Sequence, residues 1–197
     1  MEFIVFAAGY LLGCINSSII LTRLLEKKDV REFGSGNPGF TNTLRSFKRS
    51  TAILVFAGDA IKAVIALLIA KIFLPDSDLA LYAAGIGVIL GHNFPLFHKF
   101  KGGKGILVSS VAIMFADWRI GLIIFVVSVF IMFASRYVSL GSITGAVMLP
   151  VLAFLFHPGD MPFLMYSLVV SILAIYKHRQ NIVRLLNGTE NRFEKKS

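Results

Sequence analysis

Charged residues are scarce in this sequence. Asp, Glu, Lys and Arg make up 16% of its 197 residues, while hydrophobic residues make up 56%. A soluble domain carries about 25% charged residues and fewer apolar ones, so the composition excludes an ordinary soluble globular domain. Because the apolar runs are spread along the whole length, we predict an all-α, polytopic integral membrane protein with a single membrane domain, residues 1–197.

Cysteine and acidic residues are also few. The one cysteine, Cys14, excludes an internal disulfide and lies in an apolar run, which is typical of a small core residue. Lys and Arg outnumber Asp and Glu by 20 to 11, a surplus that nucleic-acid-binding proteins share. The chain has no basic amphipathic helix long enough to follow a nucleic-acid backbone, and its charges lie between apolar runs. We therefore expect no nucleic-acid partner.

Seven apolar runs are candidates for membrane helices. They cover about residues 3–21, 51–74, 79–90 (extending as far as 97), 106–116, 120–134, 140–156 and 162–176. The fourth run is short: at about 1.5 Å per residue it crosses about half of a roughly 30 Å hydrocarbon core. Either the segment before it dips into the membrane, or the run is a half-helix that lines a protein or water cavity.

The distribution of Lys and Arg predicts the orientation. Of the 20, all but Lys62, Lys71 and Arg119 fall in residues 23–50, 98–104, at 136 and in 177–197. The positive-inside rule assigns these segments to the cytoplasm. Seven transmembrane helices, one of them short, satisfy this pattern with the N-terminus outside and the C-terminus cytoplasmic. Residues 177–197 then form an amphipathic cytoplasmic tail, with Ile182, Leu185 and Leu186 on its apolar stripe.

The first of four polar clusters on this cytoplasmic side is residues 34–45, GSGNPGFTNTLR. Its glycines permit tight backbone turns, and Arg45 offers a planar guanidinium suited to phosphate. The Gly-Lys-Ser/Thr ending of a Walker A loop is absent. A flexible loop with a turn at Asn37-Pro38 is the alternative. The candidate binding residues are Ser35, Gly36, Asn37, Thr41, Asn42 and Arg45.

The second cluster is residues 91–105, GHNFPLFHKFKGGKG. Consecutive glycines let backbone N–H groups converge on an anion, and Lys104 stands at the start of the short helix, where the helix dipole also favours anions. Gly102, Gly103 and Lys104 are thus candidates for phosphate binding. His92 and His98 are six residues apart with no acidic residue nearby, which argues against a metal site. A basic loop between two membrane helices is the alternative.

The remaining clusters are residues 139–142, SLGS, and residues 177–190. Ser142 belongs to the third, although Ser and Gly are also ordinary in the packing of membrane helices. In the fourth, His178, Asn181 and Arg184 follow one another at intervals of three, although a basic membrane anchor is the alternative. Asp59 and Lys62, three residues apart inside an apolar run, are interpreted as a structural ion pair.

The clusters contain donors and cations but no nucleophile constellation. Neither a Gly-x-Ser-x-Gly elbow nor a helical His-x-x-x-x-Asp acyltransferase signature is present, and Glu190 is the one carboxylate inside the four clusters. Such a set is suited to holding phosphates and stabilising developing negative charge, while proximity and orientation supply much of the rate.

Taken together, the four blocks resemble the PlsY family of bacterial membrane acyltransferases. The blocks occur in the family's order and extend over most of the chain: residues 34–45, 91–105, 139–142 and 178–190. The resemblance implies a seven-helix enzyme that transfers a fatty acyl group from acyl phosphate to the 1-hydroxyl of sn-glycerol 3-phosphate. Lysophosphatidic acid and phosphate are the products, and this is the first step of phospholipid synthesis. The family uses no acyl-CoA or acyl-carrier protein as direct donor, and we expect no cofactor and no metal.

The resemblance also implies roles for individual residues. Lys104 and the backbone of Gly102 and Gly103 bind the phosphate of glycerol 3-phosphate, with Ser35 and Arg45 completing the cradle. Ser142, His178 and Asn181 orient the acyl carbonyl or the attacking hydroxyl. Because a mixed anhydride is already activated, no protein nucleophile is expected, and the base is His178, His92 or a substrate phosphate. The sequence departs from the family at Phe40, where alanine is common, and at Gln180, where glutamate is common.

The expected location is the bacterial cytoplasmic (inner) membrane, with the active site facing the cytoplasm and membrane lipid as a further partner. The oligomeric state is left open, and a monomer is compatible with the sequence. A transporter of a small phosphorylated anion is the alternative function, because half-helices with N-termini aimed at an anion also occur in transporters. The absence of an internal repeat between the two halves favours the enzyme.

Overall fold

The computed structural model describes residues 1–192, and the end of the predicted tail, residues 193–197, lies outside the described residues. The described chain is all-helical and contains no strand. The helices are α1 (Glu2–Gly13), α2 (Ser17–Leu25), α3 (Phe40–Ser46), α4 (Arg49–Phe73), α5 (Asp78–Asn93), α6 (Ile106–Ala116), α7 (Trp118–Ser135), α8 (Val138–Phe156), α9 (Met161–Lys177) and α10 (Arg179–Leu186). Two short 3₁₀ turns cover Val30–Glu32 and Leu96–His98.

The helices agree with the predicted apolar runs, but the number of crossings is not resolved by length alone. Within residues 1–192, five helical segments are long and apolar enough to span a membrane, and a sixth results if α9 and α10, bent by 59°, count as one span. The α6 helix has the predicted bounds and only 11 residues. The protein is therefore a multi-pass membrane protein, while seven crossings and the orientation of the termini stay predictions.

The outward faces of the long helices are apolar. Large side chains such as Ile72 on α4, Phe130 and Phe133 on α7, and Phe154 on α8 are exposed. In water such surfaces would drive aggregation, but lipid tails solvate them without cost. These exposed hydrophobic side chains therefore account for much of the high apolar content of the sequence.

Contacts divide the chain into two compact units, Met1–Ala112 and Ile113–Ser197. In the first, α1 and α5 pack backbone against backbone at glycines. A Cβ on Gly9 would come within 2.7 Å of the Ala84 carbonyl oxygen, and one on Gly13 within 2.9 Å of the Gly91 Cα. Small residues at four-residue spacing permit this close approach between membrane helices.

A break between α1 and α2 at Cys14, Ile15 and Asn16 interrupts the first span. Asn16 caps α2, because its Oδ1 accepts a hydrogen bond from the Ile19 N–H at 3.0 Å. On the other side of the break, the Lys62 ammonium donates to the Ile15 carbonyl at 2.7 Å. Broken helices leave unpaired carbonyls that membrane lipid cannot satisfy, so a buried lysine at this level compensates the break.

In the second unit α7, α8 and α9 pack in sequence order. A Cβ on Gly145 of α8 would meet Ser128 Oγ at 2.6 Å, so a glycine is needed where α8 crosses α7. Helix α8 continues through Pro150 up to Phe156. At the end of α9 the chain bends by 59° into α10, which brings His178 to the corner.

Candidate functional site

The loop before α3 is held by one buried amide. Asn42 Oδ1 accepts from the Ser35 N–H at 2.9 Å, and its Nδ2 donates to the carbonyls of Val30 at 3.2 Å and Phe33 at 2.9 Å. These bonds fold residues 33–35 over α3, where Gly34 has a φ of +58° and no room for a Cβ beside Asn42. Asn42, predicted to bind substrate, has its amide engaged in shaping this loop.

The far end of the same loop is attached to α2 and α4. Thr43 donates to the Gly39 carbonyl at 3.0 Å and its Oγ1 lies 2.8 Å from Ser18 Oγ on α2. The Phe40 ring makes an edge-to-face contact with Phe56 of α4, with the ring centroids 5.4 Å apart. The unusual Phe40 therefore anchors α3 to α4 through its ring.

Around this loop, the predicted binding groups remain accessible. Ser35 and Arg45 are exposed, and Gly36, Asn37 and Thr41 are half-buried. Gly36 has a φ of +69°, a left-handed conformation that favours glycine. Ser35 and Arg45 thus present a hydroxyl and a guanidinium at the surface, while Asn42 fixes the backbone of the loop.

The Gly102-Gly103 pair is packed against the end of α5. The Gly103 N–H donates to the His92 carbonyl at 3.1 Å. A Cβ on Gly103 would collide with His92 Nε2 and lie 2.7 Å from the Pro38 carbonyl oxygen, and one on Gly102 would collide with the His92 carbonyl. The structure therefore brings the second predicted cluster against the first at Gly103, His92 and Pro38.

Lys104 lies at the start of α6, as predicted. The helix begins at Ile106, and the Ser109 N–H donates to the Gly105 carbonyl at 2.7 Å, which makes Gly105 the residue before the first turn. Gly105 has a φ of +76° and sits against the Asn93 side-chain oxygen. Lys104 is half-buried, and its position beside the first turn of α6 is favourable for binding an anion.

His92 belongs to a buried charged cluster. Its Nδ1 lies 3.0 Å from Lys62 Nζ, which in turn is 2.8 Å from Asp59 Oδ1. Asp59, Lys62 and His92 are 2%, 5% and 4% exposed. The predicted Asp59–Lys62 ion pair is confirmed, and it has a third member that sequence spacing could not reveal, because His92 is contributed by a different helix.

In the second unit, His178 occupies the corner between α9 and α10. It is buried, and its Nδ1 is 2.8 Å from the Ala174 carbonyl oxygen. A carbonyl only accepts, so Nδ1 carries the proton of the neutral ring and Nε2 carries the lone pair. His178 thus has the tautomer that a general base or a hydrogen-bond acceptor at Nε2 requires.

Asn181 is one of three donors that converge on Glu190. The Glu190 Oε1 accepts from Asn181 Nδ2 at 2.8 Å and Ser139 Oγ at 3.0 Å, and its Oε2 accepts from Arg184 Nε at 2.8 Å. Burial alone would raise the pKa of Glu190, but these hydrogen bonds outweigh it and the pKa is lowered. Glu190 therefore ties the end of the chain to both α10 and α8.

Ser142 forms its hydrogen bond within its own helix. The Ser142 hydroxyl donates to the Val138 carbonyl at 3.0 Å, the usual back-bond of a serine in a membrane helix. Its neighbour Ser139, which was only part of a motif in the sequence, makes the tertiary contact to Glu190 instead. Within residues 1–192, no three His, Cys, Asp or Glu side chains are grouped as a metal site would need.

The comparisons with known proteins decide the family. The family described as glycerol-3-phosphate acyltransferase matches residues 3–188. This chain belongs to that family. A glycerol-3-phosphate acyltransferase from Thermoanaerobacter pseudethanolicus is 45% identical over 96% of this chain and 94% of its own length. One from Syntrophotalea carbinolica is 37% identical over 98% of this chain and 97% of its own.

Solved structures agree with this assignment. The crystal structure of PlsY (YgiH), an integral membrane glycerol 3-phosphate acyltransferase, in its glycerol 3-phosphate form matches with a TM-score of 0.90 and 35% identity, over 98% of this chain and 96% of that one. Its lysophosphatidic acid form matches with a TM-score of 0.86 and 34% identity. The resemblance inferred from the motifs is thereby confirmed, and the chain is an acyltransferase rather than a transporter.

The acyltransferase carries its predicted residues in both units. Ser35, Gly36, Asn37, Thr41, Asn42, Arg45, His92, Gly102, Gly103 and Lys104 lie in the first, and Ser142, His178 and Asn181 in the second. Sequence reasoning did not assign roles to Ser139 or Glu190, or a partner to Lys62 beyond Asp59. The one available indication was that Glu190 is a lone carboxylate among cations.

Proposed function

We propose that this acyltransferase takes its acyl group from acyl phosphate. The glycerol 3-phosphate 1-hydroxyl attacks the acyl carbonyl carbon, the bond between that carbon and the bridging oxygen breaks, and inorganic phosphate leaves. The hydroxyl proton ends on the departing phosphate or on a base. Atoms and charges balance without a protein nucleophile, because the mixed anhydride is an activated donor.

The observation that carries this proposal is the glycine-rich loop built against α5. Gly102 and Gly103 pack so closely against His92 that neither position has room for a side chain. Lys104 follows just before α6 begins. The Gly103 N–H is engaged by the His92 carbonyl, so the groups left to the phosphate dianion are Lys104 and the backbone N–H groups at the N-terminus of α6. We assign this loop to glycerol 3-phosphate, with Ser35 and Arg45 as further phosphate ligands.

The remaining predicted residues fall into different roles. Gly36, Asn37 and Thr41 shape or extend the phosphate loop. Asn42 supports this loop from within the protein, through side-chain hydrogen bonds to the backbone of Val30, Phe33 and Ser35. Ser142, His178 and Asn181 orient the acyl carbonyl or the hydroxyl. His178 has its lone pair on Nε2 because Nδ1 donates to Ala174, so it is the histidine suited to accept a proton, with the substrate phosphate as the alternative base.

We also propose a place in the cell. The basic segments face the cytoplasm by the positive-inside rule, so the phosphate loops meet glycerol 3-phosphate from the cytosol while the acyl chain of the donor stays in the lipid. The membrane is then the bacterial cytoplasmic (inner) membrane. A monomer suffices for this proposal.

The test is a donor comparison with purified protein in lipid. Palmitoyl phosphate with glycerol 3-phosphate is expected to give equal amounts of lysophosphatidic acid and inorganic phosphate. Palmitoyl-CoA and palmitoyl-acyl-carrier protein at the same concentration serve as alternative donors and should give no product. Product formed from either of these donors but not from palmitoyl phosphate would overturn the proposed donor and leave the acyltransferase assignment intact.

A further inference from the structure

The buried cluster of Asp59, Lys62 and His92 adjoins the glycine-rich loop, because His92 packs against Gly102 and Gly103. Asp59 and Lys62 are on α4 and His92 is on the last turn of α5. All three are almost completely buried in an apolar unit. Burying charges in such a place is costly even when they are paired, and ionisable residues inside membrane segments usually have a function.

The hydrogen bonds of Lys62 determine which nitrogen of His92 carries the proton. An ammonium has three N–H groups and accepts nothing. Lys62 Nζ lies 2.8 Å from its ion-pair partner Asp59 Oδ1, 2.7 Å and 3.4 Å from the carbonyls of Ile15 and Gly13, and 3.0 Å from His92 Nδ1. Because the ammonium cannot accept a hydrogen bond, its contact with His92 requires the lone pair of Nδ1, and the ring proton is on Nε2.

The protonated nitrogen points to the loop. A Cβ on Gly103 would collide with His92 Nε2 and would lie 2.7 Å from the Pro38 carbonyl oxygen. The Gly103 N–H also donates to the His92 carbonyl. His92 thus supports Gly103 through both its backbone and its ring, on the side where the loop of residues 34–39 approaches.

We propose that Asp59 and Lys62 are positioning residues for the phosphate loop: they hold His92 as the neutral Nε2–H tautomer, and His92 in this form fixes Gly102-Gly103 beside Pro38. The proposal rests on the assignment of glycerol 3-phosphate to that loop. It also removes His92 from the candidate bases, because its single lone pair is engaged by Lys62. His178 and the substrate phosphate remain.

The tautomer is tested without substrate. Protein labelled with ¹⁵N-histidine is reconstituted in lipid, and the imidazole nitrogens are recorded by solid-state NMR, with the His92 signals assigned by their loss in His92→Gln. We expect a neutral ring with the proton on Nε2 and a cross-peak between Nδ1 and the Lys62 ammonium. A ring protonated on Nδ1, or on both nitrogens, at neutral pH would overturn the proposal.

The effect on the loop is tested by kinetics. The double variant Asp59→Asn/Lys62→Met removes both charges, so it leaves no unpaired buried charge. Because the Ile15 carbonyl also loses its donor, circular dichroism first checks that the variant is folded. Its KM for glycerol 3-phosphate should rise about tenfold, the equivalent of about 1.4 kcal/mol, with kcat changed less than about threefold. Lys71→Met, an exposed lysine on the same helix, is the matched control and should leave both constants unchanged.

A rescue experiment separates positioning from packing. Glutamine can place an N–H near the position of the histidine Nε2, whereas asparagine is too short. His92→Gln should therefore keep KM for glycerol 3-phosphate closer to wild type than His92→Asn. Equal KM values in these two variants, or a wild-type KM in the double variant, would refute the positioning role. If wild-type protein shows no acyl transfer from acyl phosphate, the proposed function fails while the NMR result still decides the tautomer.

Discussion

At the scale of single residues, the position of each cation determines how much it can contribute to phosphate binding. Lys104 is half-buried at the start of α6, whereas Lys101, three residues earlier, is exposed. Arg45 stands in the last turn of α3, whose backbone is fixed through Asn42 and Thr43. A cation held on a rigid element loses less entropy on binding phosphate than one on a free loop. These two residues should therefore matter more than their basic neighbours.

Substitution of these cations should remove most of the activity. Lys104→Ala and Arg45→Ala are each expected to lower kcat/KM by about 100-fold or more, the order found when one donor to a developing charge is lost. Lys101→Ala is the control and should stay near wild type. His92→Ala should retain measurable turnover. An active Lys104→Ala beside an inactive His92→Ala, both folded by circular dichroism, would reverse the assignment of roles.

Gly103 is the glycine whose replacement has the clearest steric consequence. In Gly103→Ala the new Cβ would meet His92 Nε2 and the Pro38 carbonyl oxygen at 2.7 Å. Because one of these neighbours is backbone, the loop must shift, and KM for glycerol 3-phosphate should rise at least about tenfold. Gly159→Ala is a control for backbone strain outside the loop, since its φ of +89° disfavours alanine while nothing lies within 4 Å of its Cβ position. Equal KM values in the two variants would place the phosphate elsewhere.

At the scale of elements, the last helix is tied to α8 by a carboxylate. Ile182 and Leu185 of its apolar stripe are half-buried and Leu186 is exposed. Asn181 and Arg184 donate to Glu190, which also accepts from Ser139 of α8. The sequence predicts an amphipathic tail, and the short helix at Arg179–Leu186 is present. The position of α10 is fixed by a polar contact between Ser139 and Glu190, which are 51 residues apart in the chain.

Removal of the Glu190 charge should loosen this element. Glu190→Gln is expected to lower stability by about 1.5–3 kcal/mol, the range for hydrogen bonds to charged groups, measured by thermal unfolding in detergent. Glu32→Gln, at an exposed carboxylate, is the control and should have little effect. An unchanged melting temperature in Glu190→Gln would mean that α10 is held by other contacts.

The same contact predicts a dependence on pH. The pKa of folded Glu190 is lowered, so its contribution is fully present above its unfolded pKa of about 4.3 and is lost as pH falls through the lower folded value. Wild-type protein should therefore lose stability more steeply than Glu190→Gln below about pH 4.3. Parallel stability curves for the two proteins in that range would contradict the prediction.

At the scale of the whole molecule, α6 determines how often the chain crosses the membrane. Length and hydropathy support five or six spans in the described chain, and the seventh of the prediction depends on the 11 residues of α6. If α6 crosses, residues on either side of it face opposite solutions. If it does not, every later segment is inverted, and the positive-inside pattern of residues 136 and 177–197 is broken.

Single-cysteine labelling decides between these topologies. Cys14 is buried, so Cys14→Ala gives a background in which Met161→Cys or Leu186→Cys, both at exposed positions, is the one thiol. With seven crossings, a membrane-impermeant maleimide added to intact cells should label Met161→Cys and not Leu186→Cys. Asp76→Cys, on the first outer turn, is the positive control. The opposite pattern at Met161 and Leu186 would exclude α6 as a crossing.

Much of the fold could be predicted from particular residues. The bounds of α6 were given by Gly105 before it and Asp117 after it, because glycine and a capping aspartate limit an apolar run. The ion pair of Asp59 and Lys62 followed from their three-residue spacing on one helix. The break at Cys14–Asn16 was not predicted, because the polar residues Asn16, Ser17 and Ser18 are also ordinary in an unbroken, closely packed membrane helix and the compensating Lys62 is on another helix.

The sequence by itself determined that this is a membrane acyltransferase: composition requires lipid around the helices, and four motifs in fixed order identify the family. Tertiary structure alone decided what each polar side chain does. Asn42 supports a loop, Ser139 and Glu190 join α8 to the tail, and Lys62 of α4 lies against His92 of α5. The physical reason is that hydropathy is a local property of the chain, whereas a buried hydrogen bond depends on which distant group is within about 3 Å.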